Sequence, residues 1–242
     1  MKILHALTLM AALATSLPAL ASRPNIVDVG ACGNLHNHYG PFDYRTAHPD
    51  QKNIVEIAHF TPVIENLAKG RNNPFGDDLA YTLRVFPNHV RALSTLQRLV
   101  EREKTDEPKG ARFPIECYFI RAITFVPDDH LVRMLYADFL FKRSRIEDAR
   151  KQLDFAASTT RDNPLAQLNA ARLYLDHKQY DKALEQTHLL MAMGFERPEL
   201  RNALVAAGQW KDPAPESAAD SASAAASAAN PTPPATGASS PR

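Results

Sequence analysis

The side chains of this sequence with the widest chemical reach are its histidines, and they are unevenly placed. His36, His38, His48 and His59 share one short stretch, and His89 follows soon after. Imidazole is the commonest metal ligand and moves protons near neutral pH, so this group could hold zinc, copper or iron, or handle haem, if folding gathered Asp43, Asp50 or Glu56 beside it. The spacing supplies no ready-made site. His36 and His38 alternate as on an extended segment, and neither Cys-x-x-Cys-His nor His-Glu-x-x-His occurs. Ser94, His89 and the pair Asp77-Asp78 could be drawn as a hydrolytic triad. However, the chain has no Gly-x-Ser-x-Gly elbow and no phosphate-cradling glycine loop, and it contains only nine glycines. We therefore expect no enzyme and no cofactor. The histidines are read as polar aromatics satisfying backbone groups in a packed irregular segment, with His36, His38, His48 and His59 as the only metal candidates.

The thiols come next. Cys32 and Cys117 are the only two cysteines, and they lie too far apart in sequence for a catalytic Cys-x-x-Cys pair. Joined, they would close a loop of 85 residues (117 − 32), which the chain-entropy model values at about 4 to 5 kcal/mol. Such a bond would pin the amino-terminal segment to a helix. The alternative is two buried free thiols.

The elements that must position these groups follow from an internal repeat. When the sequence is slid by 34 residues (165 − 131), Leu131, Met134, Ala137, Phe139, Leu140, Ile146 and Ala149 fall on Leu165, Leu168, Ala171, Leu173, Tyr174, Tyr180 and Ala183. A period of this length encodes a helix, turn, helix unit that must stack on a copy of itself to bury its apolar face. Helical spacing also predicts elements over Leu79 to Phe86, from Val90 through Val100, over Ile115 to Val126, and over Arg201 to Trp210. Lys104 to Pro114 is polar, with proline and glycine, and reads as an inserted loop. Ile54 to Ala68 reads as a helix broken near Thr61-Pro62.

The pattern Tyr136, Ala137, Leu140, Ala149, Leu153, repeated as Ala170, Ala171, Tyr174, Ala183, Thr187, resembles the tetratricopeptide repeat (TPR). The phrase Tyr180-Asp181-Lys182-Ala183-Leu184-Glu185 is similar to the start of that family's second helix. Arg133 and Gln167 stand where the family has its opening tryptophan. The resemblance implies an all-α, TPR-like α-solenoid with an irregular amino-terminal segment and a disordered carboxy-terminal tail. It also implies that the first helix of each repeat lines a concave face that binds a peptide or protein partner. The residues expected on that face are Arg91, Arg98, Arg102, Met134, Asp138, Lys142, Leu168 and Arg172.

These readings divide the chain. Residues 1–21 have the parts of a secretory signal peptide, with cleavage expected after Ala21, so a periplasmic or secreted location is expected. Residues 22–70 form an irregular cap segment in which Tyr39, Phe42 and Tyr44 could anchor against the repeats. Residues 71–210 form the repeat domain, with units near 90–129, 130–163 and 164–197 and a cap at 198–210. Residues 211–242 are nearly all Ala, Ser, Pro, Thr and Gly, too poor in apolar bulk to order. No later segment is apolar enough to span a membrane. Twenty-eight basic and twenty-seven acidic residues give a net charge of +1, which argues against a nucleic-acid partner. The expected function is an exported interaction or assembly scaffold. The alternative is a periplasmic accessory protein that binds metal or handles haem through the amino-terminal histidines.

Overall fold

The structure is a computed structural model that describes residues 30–68 and 74–213. The expected signal peptide (1–21), nearly all of the expected tail (211–242) and residues 69–73 lie outside the described residues. The fold is all-helical: among the described residues there are ten helices and no strand. They are α1 Pro49–His59, α2 Pro62–Glu65, α3 Phe75–Val85, α4 Val90–Glu103, α5 Ile115–Phe125, α6 His130–Lys142, α7 Ile146–Thr159, α8 Pro164–Asp176, α9 Tyr180–Ala192 and α10 Pro198–Ala206. Among the described residues, none is long and apolar enough to cross a membrane.

Local chemistry sets the boundaries. α1 begins earlier than its apolar pattern suggests, because Pro49 fits the first helical turn and His48 forms a reciprocal capping box with Gln51. Pro62 then restarts the chain as α2. α10 also begins early, at Pro198, and it ends before the left-handed Gly208. The helices α4, α6 and α8 each follow a side-chain N-cap, from His89, Asp129 and Asn163 respectively. The starts of α6 and α8 are 34 residues apart (164 − 130), and those of α4 and α6 are 40 apart (130 − 90). The six extra residues belong to the connection 104–114, which contains no helix.

The hairpins α6–α7 and α8–α9 turn in the same way. Ser144 and Lys178 both adopt the left-handed conformation, at φ 60° and 56°. Arg145 N donates to Leu140 O, and Gln179 N donates to Tyr174 O. Ser144 N and Lys178 N donate to Phe141 O and Leu175 O, which completes two Schellman motifs.

Small residues let the helices approach. Ala137 and Ala171, and likewise Ala149 and Ala183, have no exposed surface, so the matched pairs of the repeat sit at helix crossings. One main cluster runs from Phe60 and Ile64 through Leu93, Phe119, Leu140 and Tyr174 to Leu204. The helices α4, α6 and α8 touch in sequence, α6 against α4 and α8 against α6, while α10 rests on α8 and α9. Gln167 fills its position by donating to the carbonyls of Ala157 and Thr160, each at 2.8 Å. Arg133 lies 4.0 Å over the Phe155 ring.

Candidate functional site

The outward stripe of α4 carries Arg91, Arg98 and Arg102, and the chain itself covers it. Arg91 grips the Glu65 carboxylate with two hydrogen bonds, Nε to Oε1 at 2.7 Å and Nη2 to Oε2 at 2.5 Å. Arg98 Nη2 donates to Glu65 O at 2.5 Å, Thr95 Oγ1 donates to the same carbonyl at 3.3 Å, and Arg102 Nη1 donates to Leu67 O at 2.9 Å. The guanidinium groups of Arg91 and Arg102 also lie over the rings of Phe60 and Phe75. Arg91 holds the Glu65 carboxyl below its ordinary range, and Glu65 raises the Arg91 guanidinium in return. Bidentate, charge-assisted contacts of this kind fix geometry as well as contributing energy.

The irregular segment ahead of α1 seats its aromatics on the end of α3. Tyr39, Phe42 and Tyr44 pack around Val55, Val85 and Phe86, and Phe42 N donates to Val85 O at 2.8 Å. Gly40, at φ 89°, passes so close that a Cβ there would lie 2.8 Å from Val85 O. Asn88 ties three elements together: its Oδ1 accepts from Tyr44 N, and its Nδ2 donates to Asp43 Oδ1 at 2.7 Å and to Asp129 Oδ2 at 2.9 Å. Arg45 bridges Asp43 and Asp128. Tyr44 stacks on His89 at 3.9 Å and donates to Glu56 Oε1 at 2.6 Å. Burial and the Glu56 carboxylate together push the Tyr44 phenol up to about 12.

Beyond α4 the stripe is open but already paired within itself. Asp138 accepts from Gln97 Nε2 at 2.9 Å, pairs with Lys142 at 2.9 Å and meets His177 Nε2 at 2.9 Å. Burial alone would raise the Asp138 carboxyl, but hydrogen bonds from Lys142, Gln97 and His177 overcome it and leave the group below its ordinary value. Lys142 also reaches Glu101 at 3.3 Å. Arg172 pairs with Glu199 of α10 at 3.3 Å. Both groups line a cleft of about 350 Å³ together with Leu175, Tyr180 and Leu200.

No family model matches this sequence, and no curated protein or solved structure matches it either.

The sequence-predicted site residues therefore divide. Arg91, Arg98 and Arg102 do share a face, but it is occupied by residues 65–67. Met134 and Leu168, expected on an open face, are 7% and 6% exposed, because each turns into the contact between neighbouring helices. The exposed apolar groups at that end are Leu131 and Leu165, another pair matched at 34 residues, at 43% and 67%. Cys32 and Cys117 are joined in a disulfide. The four histidines do not converge: His36 and His38 are exposed, His48 caps α1, and His59 meets Asp78 at 2.9 Å. Among the described residues no three His, Cys, Asp or Glu side chains are grouped to hold a metal ion. Sequence reasoning missed Glu65, Asn88 and the capping role of His89. Only the last had a local signal, since His89 stands in register with Asp129.

Proposed function

We propose that this protein is an exported, TPR-like interaction scaffold that docks a peptide or protein partner on the α6–α8 half of its first-helix face. The carrying observation is the contrast along that face. The α4 portion is filled by the chain's own Glu65 and Leu67, whereas α6 and α8 leave Leu131 and Leu165 exposed in their first turns and carry Asp138, Lys142 and Arg172 further along. Exposed leucines offer an apolar anchor, and polar groups further along the same helices orient what it binds. The TPR-like reading rests on the equivalent hairpin turns at Ser144 and Lys178, the capped starts of α4, α6 and α8, and the contact of each of these helices with the next. Export rests on the leader-like residues 1–21 and on the disulfide, a bond that persists in oxidising compartments.

Site-specific photo-crosslinking in the producing cell tests the face. A crosslinking residue at Leu165 or Lys142 should give a discrete adduct of one mass. The same residue at Lys151, whose side chain is 74% exposed on α7, should not. Adducts of equal yield from all three positions, or from none, would rule the assignment out.

A further inference from the structure

The 34-residue register sets one pair of charges in opposite order on α6 and α8. Asp138 and Lys142 of α6 correspond to Arg172 and Asp176 of α8 (172 − 138 and 176 − 142). On α6 the pair closes along the helix, Lys142 Nζ to Asp138 Oδ2 at 2.9 Å, and the cation sits in the last turn, where the helix dipole favours it. On α8 the reversed pair does not close. Arg172 turns instead to Glu199 of α10 at 3.3 Å, and Asp176, the last residue of α8, makes no hydrogen bond or ion pair among the described residues. The last turn of α8 contains no basic residue either. Carboxylate and helix end are both negative there, so each draws a cation to the same place.

Asp176 also borders a cavity. With Arg172, Tyr180 and Glu199 it lines the cleft of about 350 Å³ between α8 and α10, whose apolar wall includes Leu175 and Leu200. That volume is near the lower end for binding cavities and suits one long side chain. Two carboxylates face one guanidinium, so the lining carries one negative charge in excess. Neighbouring clefts carry none: between α7 and α9, Arg161 and Lys182 stand against Asp154 and Glu185, and beside Trp210, Arg197 and Arg201 stand against Glu196 and Asp212.

We propose that the α8–α10 cleft receives a lysine or arginine side chain of the partner docked on the first-helix face. The aliphatic stem of such a residue covers Leu175 and Leu200, while its charged head meets Asp176, Glu199 and the ring of Tyr180. An acidic side chain would add to the negative excess, and an apolar one would leave Asp176 without a cation. The assignment of that side chain to a partner rests on the scaffold reading; the preference of the cleft for a cation does not.

Two-dimensional NMR titration of the oxidised full chain tests the preference, with the peptide acetyl-Ala-Ala-Lys-Ala-Ala-amide and its norleucine and glutamate counterparts as probes. The lysine peptide should shift the amides of residues 172–180 and 198–207 saturably, with a Kd on the order of a few millimolar. The norleucine peptide should bind at least about threefold more weakly, and the glutamate peptide more weakly still. Asp176→Asn should weaken the lysine peptide by about threefold and leave the norleucine peptide unchanged. Ala203→Leu, which narrows the cleft, should weaken both, and both substituted positions are exposed, so the fold is retained. No saturable shift from the lysine peptide, equal affinity for lysine and norleucine, or lysine binding unaltered by Asp176→Asn overturns the proposal. In the producing cell, the adduct from a crosslinker at Leu165 should fall at least about threefold in an Asp176→Asn background. An unchanged yield overturns the partner's use of the cleft while the scaffold stands, whereas no adduct in wild type overturns the scaffold and not the cation preference that the peptides measure.

Discussion

His89 and Asp129 do the same work at the starts of α4 and α6: each side chain accepts the main-chain N–H three residues further on, His89 Nδ1 from Ala92 and Asp129 Oδ1 from Val132, both at 3.2 Å. A histidine in a position otherwise filled by Asp129 and Asn163 makes one helix start sensitive to pH. Since Nδ1 accepts, the proton of the neutral ring belongs on Nε2, which lies 3.3 Å from Glu56 Oε1 in a contact too misaligned for a full hydrogen bond. A second proton would have to occupy Nδ1 and break the cap.

The first prediction follows from that geometry. Burial pushes the His89 imidazole down to about 4, against the opposing pull of Glu56, while the unfolded chain titrates near 6.5. Between those values the unfolded state binds a proton that the native state does not. Stability contributed by neutral His89 is therefore complete above pH 6.5 and is lost as pH falls toward 4, by on the order of 3 kcal/mol. His89→Asn keeps an acceptor that does not titrate, so urea unfolding at pH 7 and pH 4.5 should show a smaller acid loss in the variant. Identical losses in both proteins would refute the assignment.

The second concerns the bond between Cys32 and Cys117. It closes a separation of 85 residues, and replacing both cysteines by serine should lower stability by about 4 kcal/mol on the chain-entropy model. The loss should be largest in protection of residues 32–34 from hydrogen exchange, because Arg121 then holds their carbonyls unaided, whereas Phe42 and Tyr44 keep their contacts with Val85 and Asn88. Intact mass after alkylation without reductant gives the direct check: two alkylated thiols would contradict the bond.

The third concerns the cover on α4. Arg91 is half-exposed and salt screens its pair with Glu65, so a Glu65/Arg91 double-mutant cycle should return only about 0.5 to 1 kcal/mol of coupling. The more diagnostic result is local. Glu65→Gln should speed proteolysis near residues 61–68 without shifting the global unfolding midpoint by more than about 1 kcal/mol. A cycle showing no coupling in low salt would mean that Glu65 is not held.

The fourth concerns the hairpin turns. Ser144 and Lys178 are held left-handed, a conformation that costs most residues about 1 kcal/mol and glycine little. Ser144→Gly and Lys178→Gly should each stabilise by up to about 1 kcal/mol in thermal unfolding. The gains should be nearly additive, since the two turns share no partner. Destabilisation by both would show that these turns are not left-handed in solution.

What the sequence determined by itself is what local physics encodes. Apolar spacing marked the helices, and the 34-residue period placed units near 130 and 164, where α6 and α8 begin, because periodicity is written into the chain within a few turns. The all-helical class was legible on those grounds, whereas the sequence left Cys32 and Cys117 as either a disulfide or two free thiols, and the fold joins them across 85 residues. Tertiary structure decided which of the expected surface groups remain at the surface. Met134 and Leu168 read as open positions on a helical stripe, yet they turn inward, because the neighbouring helix approaches closely enough to cover them. Arg91, Arg98 and Arg102 look alike in sequence to arginines that face water. They are engaged because Glu65 and Leu67, far off along the chain, arrive beside them through the break at Pro62 and the packing of Phe60 and Ile64 into the core. The same holds for Arg84 and Arg121, whose Nε atoms are buried without a hydrogen-bond partner among the described residues, an outcome of everything packed around them. A local pattern can fix a helix face, but the occupant of that face is set by chain segments brought together only when the core closes.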